Sequence, residues 1–218
     1  MADIFHEVDE EVRRERLQKL WERYSIYIIG GAVLIVAAIA AWRGYDYWQA
    51  KQAAAAGTAF ESALALSESG KHAEAQAAFD KIAADAPAGY RRLARLRAAA
   101  DLAETKPDEA VKAYDQLAAD SSLGAPLQDL AAVRAGLLLV DKAPLSEMQR
   151  RLDVASGADR TFRHSARELL ALSAWRNHDF AAARRYLDMI TADGQTPPSI
   201  RARADVLSAL IAADSNKS

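Results

Sequence analysis

The strongest pattern in the chain is an apolar run near the N-terminus. Residues 25–42 contain no Asp, Glu, Lys, Arg or His, and Arg23 and Arg43 lie just outside the two ends of this run. A helix from Tyr24 to Trp42 has about 19 residues and a length of about 28 Å, close to the hydrocarbon thickness of a bilayer. Aromatic residues, which favour the headgroup level, flank both ends: Trp21, Tyr24 and Tyr27 before, and Trp42, Tyr45, Tyr47 and Trp48 after. The run predicts one transmembrane helix.

Two other interpretations of the apolar run are a buried core helix and a cleaved signal peptide. A core helix of this length rarely has aromatic residues at both ends. The small residues of Ala38-Ile39-Ala40 have the spacing of a cleavage site. A signal peptide, however, has a shorter apolar region, and its leader lacks the many acidic residues found between Asp3 and Glu22. The pattern therefore favours an uncleaved anchor.

The distribution of positive charge predicts the orientation of this anchor. Its N-terminal side carries Arg13, Arg14, Arg16, Lys19 and Arg23, whereas the segment just after the anchor carries only Arg43 and Lys51. Cationic side chains resist translocation, so the N-terminus is expected in the cytoplasm. The predicted organisation is a cytoplasmic leader at 1–24, a membrane helix at 25–42, an exported domain at 43–213, which the resemblance described below places in the periplasm, and a disordered tail at 214–218.

The leader itself has apolar residues at helical spacing and is predicted to be an amphipathic helix with Asp3 as its N-cap. Such a helix can lie on the membrane or dock on a cytoplasmic partner. It can equally be a continuation of the membrane helix that only sets the topology. The sequence supports both interpretations.

A repeating arrangement of apolar residues follows the anchor. Four segments share the same spacing after a turn, at intervals of 35, 38 and 35 residues: Ala75, Phe79 and Ile82; Ala110, Tyr114 and Leu117; Met148, Leu152 and Ala155; Ala183, Leu187 and Ile190. Before each turn stands a small residue that allows two helices to cross closely: Ala63, Ala98 or Ala99, Gly136 and Ala171. This is the tetratricopeptide pattern in degenerate form.

The predicted fold is therefore all-α, with a single transmembrane helix, a tetratricopeptide-like solenoid of about four helical hairpins, and a capping helix. The capping helix is predicted from Ser199, as N-cap, to Ala213, and Ile200, Ala204, Leu207 and Ile211 would cover the open end of the stack. A set of unrelated helical hairpins is the alternative.

Composition and motifs argue against several classes of function. Charge is nearly balanced, with 28 basic and 30 acidic residues, and no aromatic series accompanies the arginines, so nucleic-acid binding is not expected. The chain has no cysteine. His6, His72, His164 and His178 fall in four separate segments, and no phosphate loop, nucleophile elbow or zinc motif occurs. We expect no catalytic residue, cofactor or metal, and no enzyme activity.

Two groups of residues are candidates for binding partner proteins. Arg91 and Arg95 share a helix face that can meet acidic clients or lipid headgroups, although a solvated face explains them too. By repeat position, six apolar residues point to the inner face of the array, where they either accept a segment of another protein or close as core: Phe60, Leu64, Val133, Leu137, Leu172 and Trp175. Within the anchor, the small residues Gly30, Gly31, Ala37 and Ala41 offer a surface to another membrane helix.

The leader and anchor carry a more specific similarity. The string IFHEVDEEVRRERLQKLWERYSIYII, followed by one span and a degenerate repeat domain, resembles the ancillary subunit family of the bacterial SecYEG translocon. The similarity is sharpest around residues 4–48. It implies an inner-membrane-anchored periplasmic protein that associates with translocon subunits and with a membrane-anchored periplasmic folding factor. It also implies a role in handing newly exported proteins to periplasmic chaperones, with no catalytic residues.

The predicted function is thus a non-catalytic protein-interaction module at the inner membrane. The alternative is a tetratricopeptide scaffold for another envelope complex, such as the cell-wall or division machinery.

Overall fold

The computed structural model describes the backbone of residues 3–215 and the side chains of Arg14 and residues 18–213. Nine α-helices and one short 3-10 helix make up this part of the chain, which contains no strand: α1 Asp3–Glu68, α2 His72–Asp85, α3 Ala88–Thr105, α4 Pro107–Ala119, the 3-10 helix Ser121–Leu123, α5 Ala125–Leu139, α6 Leu145–Leu152, α7 Arg163–Arg176, α8 Phe180–Thr191 and α9 Pro198–Ser215. The predicted all-helical class is confirmed. Alanine, the best helix former, is abundant throughout these helices.

The chain divides into two compact units, Met1–Ala54 and Ala55–Ser218. The first unit contains most of α1, which the structure shows as one continuous helix from the leader through the apolar run. Part of α1 is long and apolar enough to cross a membrane, and none of its most apolar window is buried. Ile26 and Trp42, for example, are 74% and 76% exposed. The exposure argues against the core-helix interpretation, because a core helix would bury this surface.

The second unit consists of helical hairpins that pack in chain order. The end of α1 pairs with α2, then α3 with α4, α5 with α6 and α7 with α8, and α9 closes the series. All twelve residues predicted at the repeated positions, from Ala75 to Ile190, are buried, and eleven of them lie on the second helices, whereas Ala155 follows the end of α6. The predicted repeat is confirmed, since each hairpin buries the same three positions against its neighbours.

Close helix crossings occur where the sequence places small residues. Ala63 and Ala171 are completely buried, and Gly136 on α5 faces Leu152. A Cβ atom added at Gly136 would lie 3.1 Å and 3.3 Å from the two Cδ atoms of Leu152 and 3.4 Å from Leu169 Cδ1. The absence of a side chain at Gly136 therefore lets the α5–α6 hairpin close around Leu152.

The turns between paired helices are short, and a turn precedes each of the four repeated segments, as expected. The first turn follows the end of α1 at Glu68. Gly70 in this turn adopts the left-handed backbone conformation with φ +77°, which glycine enters without a Cβ clash. The second is a single residue, Lys106, before Pro107 at the start of α4, a favoured place for proline. Ala143-Pro144 precedes α6, and Asn177-His178-Asp179 precedes α8.

The C-terminal helix covers the end of the stack as predicted, but its start differs. Ile200, Ala204, Leu207 and Ile211 are buried in the same core cluster as α7 and α8. The prediction of Ser199 as N-cap is wrong, because α9 already begins at Pro198. Proline is accommodated at a helix start because its missing N–H has no intrahelical partner there. The helix runs to Ser215, and the rest of the predicted disordered tail, residues 216–218, lies outside the described residues.

An irregular connection between α6 and α7, not predicted from the sequence, is held by charged hydrogen bonds. Arg160 in this connection donates from Nε and Nη2 to the two carboxylate oxygens of Asp129 on α5, at 2.9 Å and 2.5 Å. Asp129 is buried, so this paired geometry compensates its charge. Likewise Arg163 donates to Asp193 after α8 at 2.8 Å. These pairs fix the last hairpin against α5 and the turn that precedes α9.

Candidate protein-binding surfaces

The first candidate surface, here called the central groove, lies in the repeat unit between α1, α3 and α5. Its volume is about 320 Å³, and it is lined by Phe60 of α1, by Leu93, Leu96, Arg97 and Ala100 of α3, by Tyr114 of α4, and by Leu127, Leu130 and Arg134 of α5. Small-molecule sites start at about this size, so the groove suits a few side chains of a bound segment.

Helical periodicity explains how α3 serves both the core and this groove. Leu93, Leu96, Arg97 and Ala100 share one face of the helix, while Ala94 and Ala98 share another and are buried against α1 and α2. Phe60 of α1 lines one end of the groove. Its ring contacts the fully buried Phe79 edge-on at a centroid distance of 5.1 Å and lies 6.0 Å from the Tyr90 ring. These contacts fix the Phe60 ring in place at the edge of the groove.

The polar groups of the central groove are two arginines and one phenol. Arg97 and Arg134 are exposed, and neither guanidinium forms an ion pair or hydrogen bond with a described residue. Tyr114 is only 3% exposed, and its hydroxyl likewise has no hydrogen-bond partner among residues 18–213. Burial raises the pKa of Tyr114 by disfavouring the phenolate. The charges of Arg134 and Arg97 oppose this shift, and the charges of Asp101 and Glu104 add to it. The groove is therefore apolar along its walls and cationic at its rim.

The second candidate surface, here called the terminal groove, lies between α7 and α9. Its volume is about 330 Å³, and its lining is Leu172 and Trp175 of α7 with Ala202, Arg203, Val206, Leu207 and Leu210 of α9. Val206 is 63% and Leu210 46% exposed. The charge of Arg203 is engaged by Glu168, whose two oxygens accept hydrogen bonds from the guanidinium. This groove thus presents mainly apolar side chains.

The residues predicted to bind partners are divided between these grooves and other places. Phe60 lines the central groove, and Leu172 and Trp175 line the terminal groove. Leu64 and Val133 are half-buried against the core, and Leu137 on α5 is 53% exposed. The structure does not gather the predicted residues on a single surface.

The two predicted arginines have different surroundings. Arg91 is exposed on α3. Arg95 donates to Asp120 at 2.5 Å. Hydrogen bonds from Ser122 and Arg95 lower the pKa of Asp120 to about 2. The charge of Arg95 is therefore engaged within the domain.

The small residues predicted to pack against another membrane helix are accessible in the first unit. A Cβ atom at Gly30 or Gly31 would meet no atom within 4 Å. Ala37 and Ala41 are exposed. These small residues are therefore accessible on α1. Their packing against another membrane helix stays a prediction.

Most residues of the central groove were not predicted, because the sequence does not state which faces of α3 and α5 stay uncovered after packing. The available signal was the helical spacing of Leu93, Leu96 and Arg97 on α3 and of Leu127, Leu130 and Arg134 on α5. Tyr114 was predicted, but as a repeat core residue. On α9 the exposed Val206 and Leu210 were also missed.

A cluster of one serine, one aspartate and one histidine has an arrangement that suits a structural role and not catalysis. Ser67 Oγ donates to Asp101 Oδ1 at 2.6 Å, and His72 Nδ1 lies 2.9 Å from the same oxygen. The buried carboxylate thus stands between the hydroxyl and the imidazole, whereas a nucleophile needs its base as direct neighbour. The cluster pins the α1–α2 turn to α3. Among residues that the structure describes, no group of three or more metal-ligand side chains has the geometry to hold an ion.

Comparison with known proteins identifies the family. A family model described as a tetratricopeptide repeat-like domain matches residues 18–170, more than half of the chain, so the chain belongs to this family. The match begins before the apolar run and ends in α7, so it includes the candidate membrane span, three hairpins and all residues of the central groove. Domains of this kind are generally non-catalytic scaffolds for protein–protein interaction. No curated protein and no solved structure matches the chain.

Proposed function

We propose that this tetratricopeptide repeat-like protein is a single-pass protein of the bacterial inner membrane with its N-terminus in the cytoplasm. Residues 25–42 would form the anchor, and the domain within 43–213 would bind other proteins in the periplasm. The observation that carries the proposal is the exposed apolar run within the same family match as the repeats. Lipid is the solvent that such a surface favours, and a helix satisfies its own backbone hydrogen bonds there.

The orientation rests on the positive charges that precede the run. They outnumber those in the segment directly after it, and such charge is retained on the cytoplasmic side. The repeat domain would then be exported. Because the domain has no cysteine, its stability there depends on packing and ion pairs and not on disulfides.

We further propose that the protein associates with the Sec translocon and with a membrane-anchored folding factor, and links newly exported proteins to periplasmic chaperones. The support is the resemblance around residues 4–48 together with two grooves suited to segments of polypeptide. Anchoring would hold the grooves at high effective concentration near the exit site of the translocon, which strengthens individually weak contacts.

Site-specific photo-crosslinking in living cells tests this proposal. A crosslinking amino acid would replace Leu93 in the central groove or Val206 in the terminal groove, and the same replacement at Arg92, an exposed residue of α3, would be the control. Products containing translocon subunits and newly exported chains, absent from the control, are expected. Products containing only cell-wall or division proteins would contradict the translocon proposal and favour the scaffold alternative.

A further inference from the structure

The central groove has a combination of groups that indicates the chemistry of its ligand. Its walls are leucine and phenylalanine side chains, and its rim carries the guanidinium groups of Arg97 and Arg134. Both guanidinium side chains line the same groove as Tyr114. The hydroxyl belongs to a side chain 3% exposed, yet it has no hydrogen-bond partner among the residues that the structure describes. The hydroxyl oxygen itself is accessible from the groove, because Arg176 Nε is the one buried side-chain nitrogen or oxygen without a hydrogen-bond partner among the described residues.

Among the arginines of α3, Arg91, Arg92 and Arg97 have no ion pair with a described residue, and Arg95 has one. Two residues before Arg97 on α3, Arg95 is paired with Asp120, and Asp129 on α5 is paired with Arg160. Arg97 and Arg134 have no such carboxylate within the described part of the chain. Leaving two arginines unpaired beside an apolar groove and an unpartnered hydroxyl provides three donors for one anionic group.

We infer that the central groove binds a polypeptide segment in which an aspartate or glutamate is flanked by large apolar residues. The carboxylate would accept hydrogen bonds from Arg97 and Arg134, with the Tyr114 hydroxyl as a third donor, and the flanking side chains would contact Phe60, Leu93 and Leu130. The inference rests on the proposed function, because it names the class of segment that the repeat domain binds.

Charge complementarity selects this occupant over a purely apolar segment. An apolar ligand would remove water from the phenol hydroxyl and from the guanidinium groups without offering them a hydrogen-bond acceptor, at a cost in free energy. The formal net charge of the whole chain is −2, so the attraction of an acidic segment would come from the groove itself and not from a general basic field.

The test is a binding cycle with the full-length protein in non-ionic detergent. The probe is a short fluorescent synthetic peptide with one aspartate between leucine and phenylalanine residues, and a matched peptide has asparagine instead. The proteins are the wild type, Arg97→Gln/Arg134→Gln, and Arg92→Gln, which changes an exposed arginine of α3 outside the groove. Thermal melting checks that all three proteins are folded.

The wild type is expected to bind the aspartate peptide at least about tenfold more tightly than the asparagine peptide, because hydrogen bonds to charged groups are worth that much. The double variant should lose this preference, whereas Arg92→Gln should retain it. Tyr114→Phe, which keeps the ring in the core, should weaken binding of the aspartate peptide about two- to tenfold through loss of one hydrogen bond.

Equal binding of the two peptides, or equal effects of Arg92→Gln and of the double variant, would overturn the inference. Two other results would also overturn the inference. One is self-association of the chain, and the other is binding to anionic lipid vesicles, in each case if the process competes with the peptide and disappears in the double variant. If the peptide test fails while crosslinking at Leu93 still captures translocon subunits, the proposed function stands and only the ligand chemistry is wrong. If crosslinking fails while the peptide binds as described, the ligand chemistry stands and the proposed function is wrong.

Discussion

The close approach of Gly136 and Leu152 makes a prediction about how two substitutions interact. Gly136→Ala adds a methyl group to α5 that would lie 3.1 Å and 3.3 Å from the Cδ atoms of Leu152. Leu152→Ala removes both of these atoms and leaves Leu169 Cδ1, at 3.4 Å, as the nearest neighbour of the new methyl group. The same glycine substitution therefore meets a crowded site in the native chain and a vacant one beside Ala at position 152.

The magnitudes follow from the two surroundings. In the native chain Gly136→Ala gains about 1 kcal/mol of helix propensity but overpacks the core by about 1–3 kcal/mol, for a net loss of about 0–2 kcal/mol. Leu152 is completely buried, so Leu152→Ala should lower the free energy of unfolding by about 2–5 kcal/mol. In that background Gly136→Ala should stabilise by about 1 kcal/mol, because the propensity gain remains and the crowding is removed.

Reversible urea unfolding of the full chain in non-ionic detergent, followed by far-ultraviolet circular dichroism, measures these free energies. The two substitutions should show a coupling of about 1 kcal/mol or more, as expected for residues in contact. Gly89→Ala, where an added Cβ meets no atom within 4 Å, is the matched control and should show no coupling with Leu152→Ala. Additive effects at Gly136 and Leu152 would refute the idea that this glycine sets the helix crossing.

Two further predictions concern acid stability and a turn. Because the folded state lowers the pKa of Asp120 from 3.8 to about 2, its ionised carboxylate stabilises the fold fully above pH 3.8, and this contribution is lost as the pH falls through about 2. Asp120→Asn should therefore reduce stability at neutral pH and weaken its pH dependence between pH 3.8 and 2 in urea unfolding; an unchanged acid profile would contradict this. Gly70→Ala should lower the free energy of unfolding by about 1 kcal/mol, because φ is +77° there, whereas Gly89→Ala in the first turn of α3 should be neutral or stabilising.

The repeat and its turns could be predicted because they depend on local spacing. A buried face of a helix recurs every three to four residues. In each hairpin that face meets a small residue on the preceding helix, as Leu152 meets Gly136. Proline at the helix starts and Gly70 in the first turn mark the boundaries through backbone geometry alone. These features need no knowledge of distant contacts.

The grooves could not be predicted because they depend on which helix faces remain uncovered after packing. Arg95 and Arg97 belong to one basic run, yet Arg95 meets Asp120 twenty-five residues later and Arg97 lines the central groove. Nothing in the local pattern separates the two arginines. Similarly, Val206 and Leu207 are adjacent on α9, but only Leu207 is buried against the core. Tertiary contacts, which the sequence does not state, decide these outcomes.

The most direct test of an exported, membrane-anchored interaction domain is its location relative to the membrane. The natural chain has no cysteine, so a single introduced thiol reports on one site. Ser69→Cys lies in the exposed turn after α1, and Glu7→Cys lies in the leader. In intact spheroplasts, a membrane-impermeant maleimide should label Ser69→Cys at once and Glu7→Cys only after lysis. Labelling of Glu7→Cys in intact spheroplasts, with Ser69→Cys protected until lysis, would contradict the account.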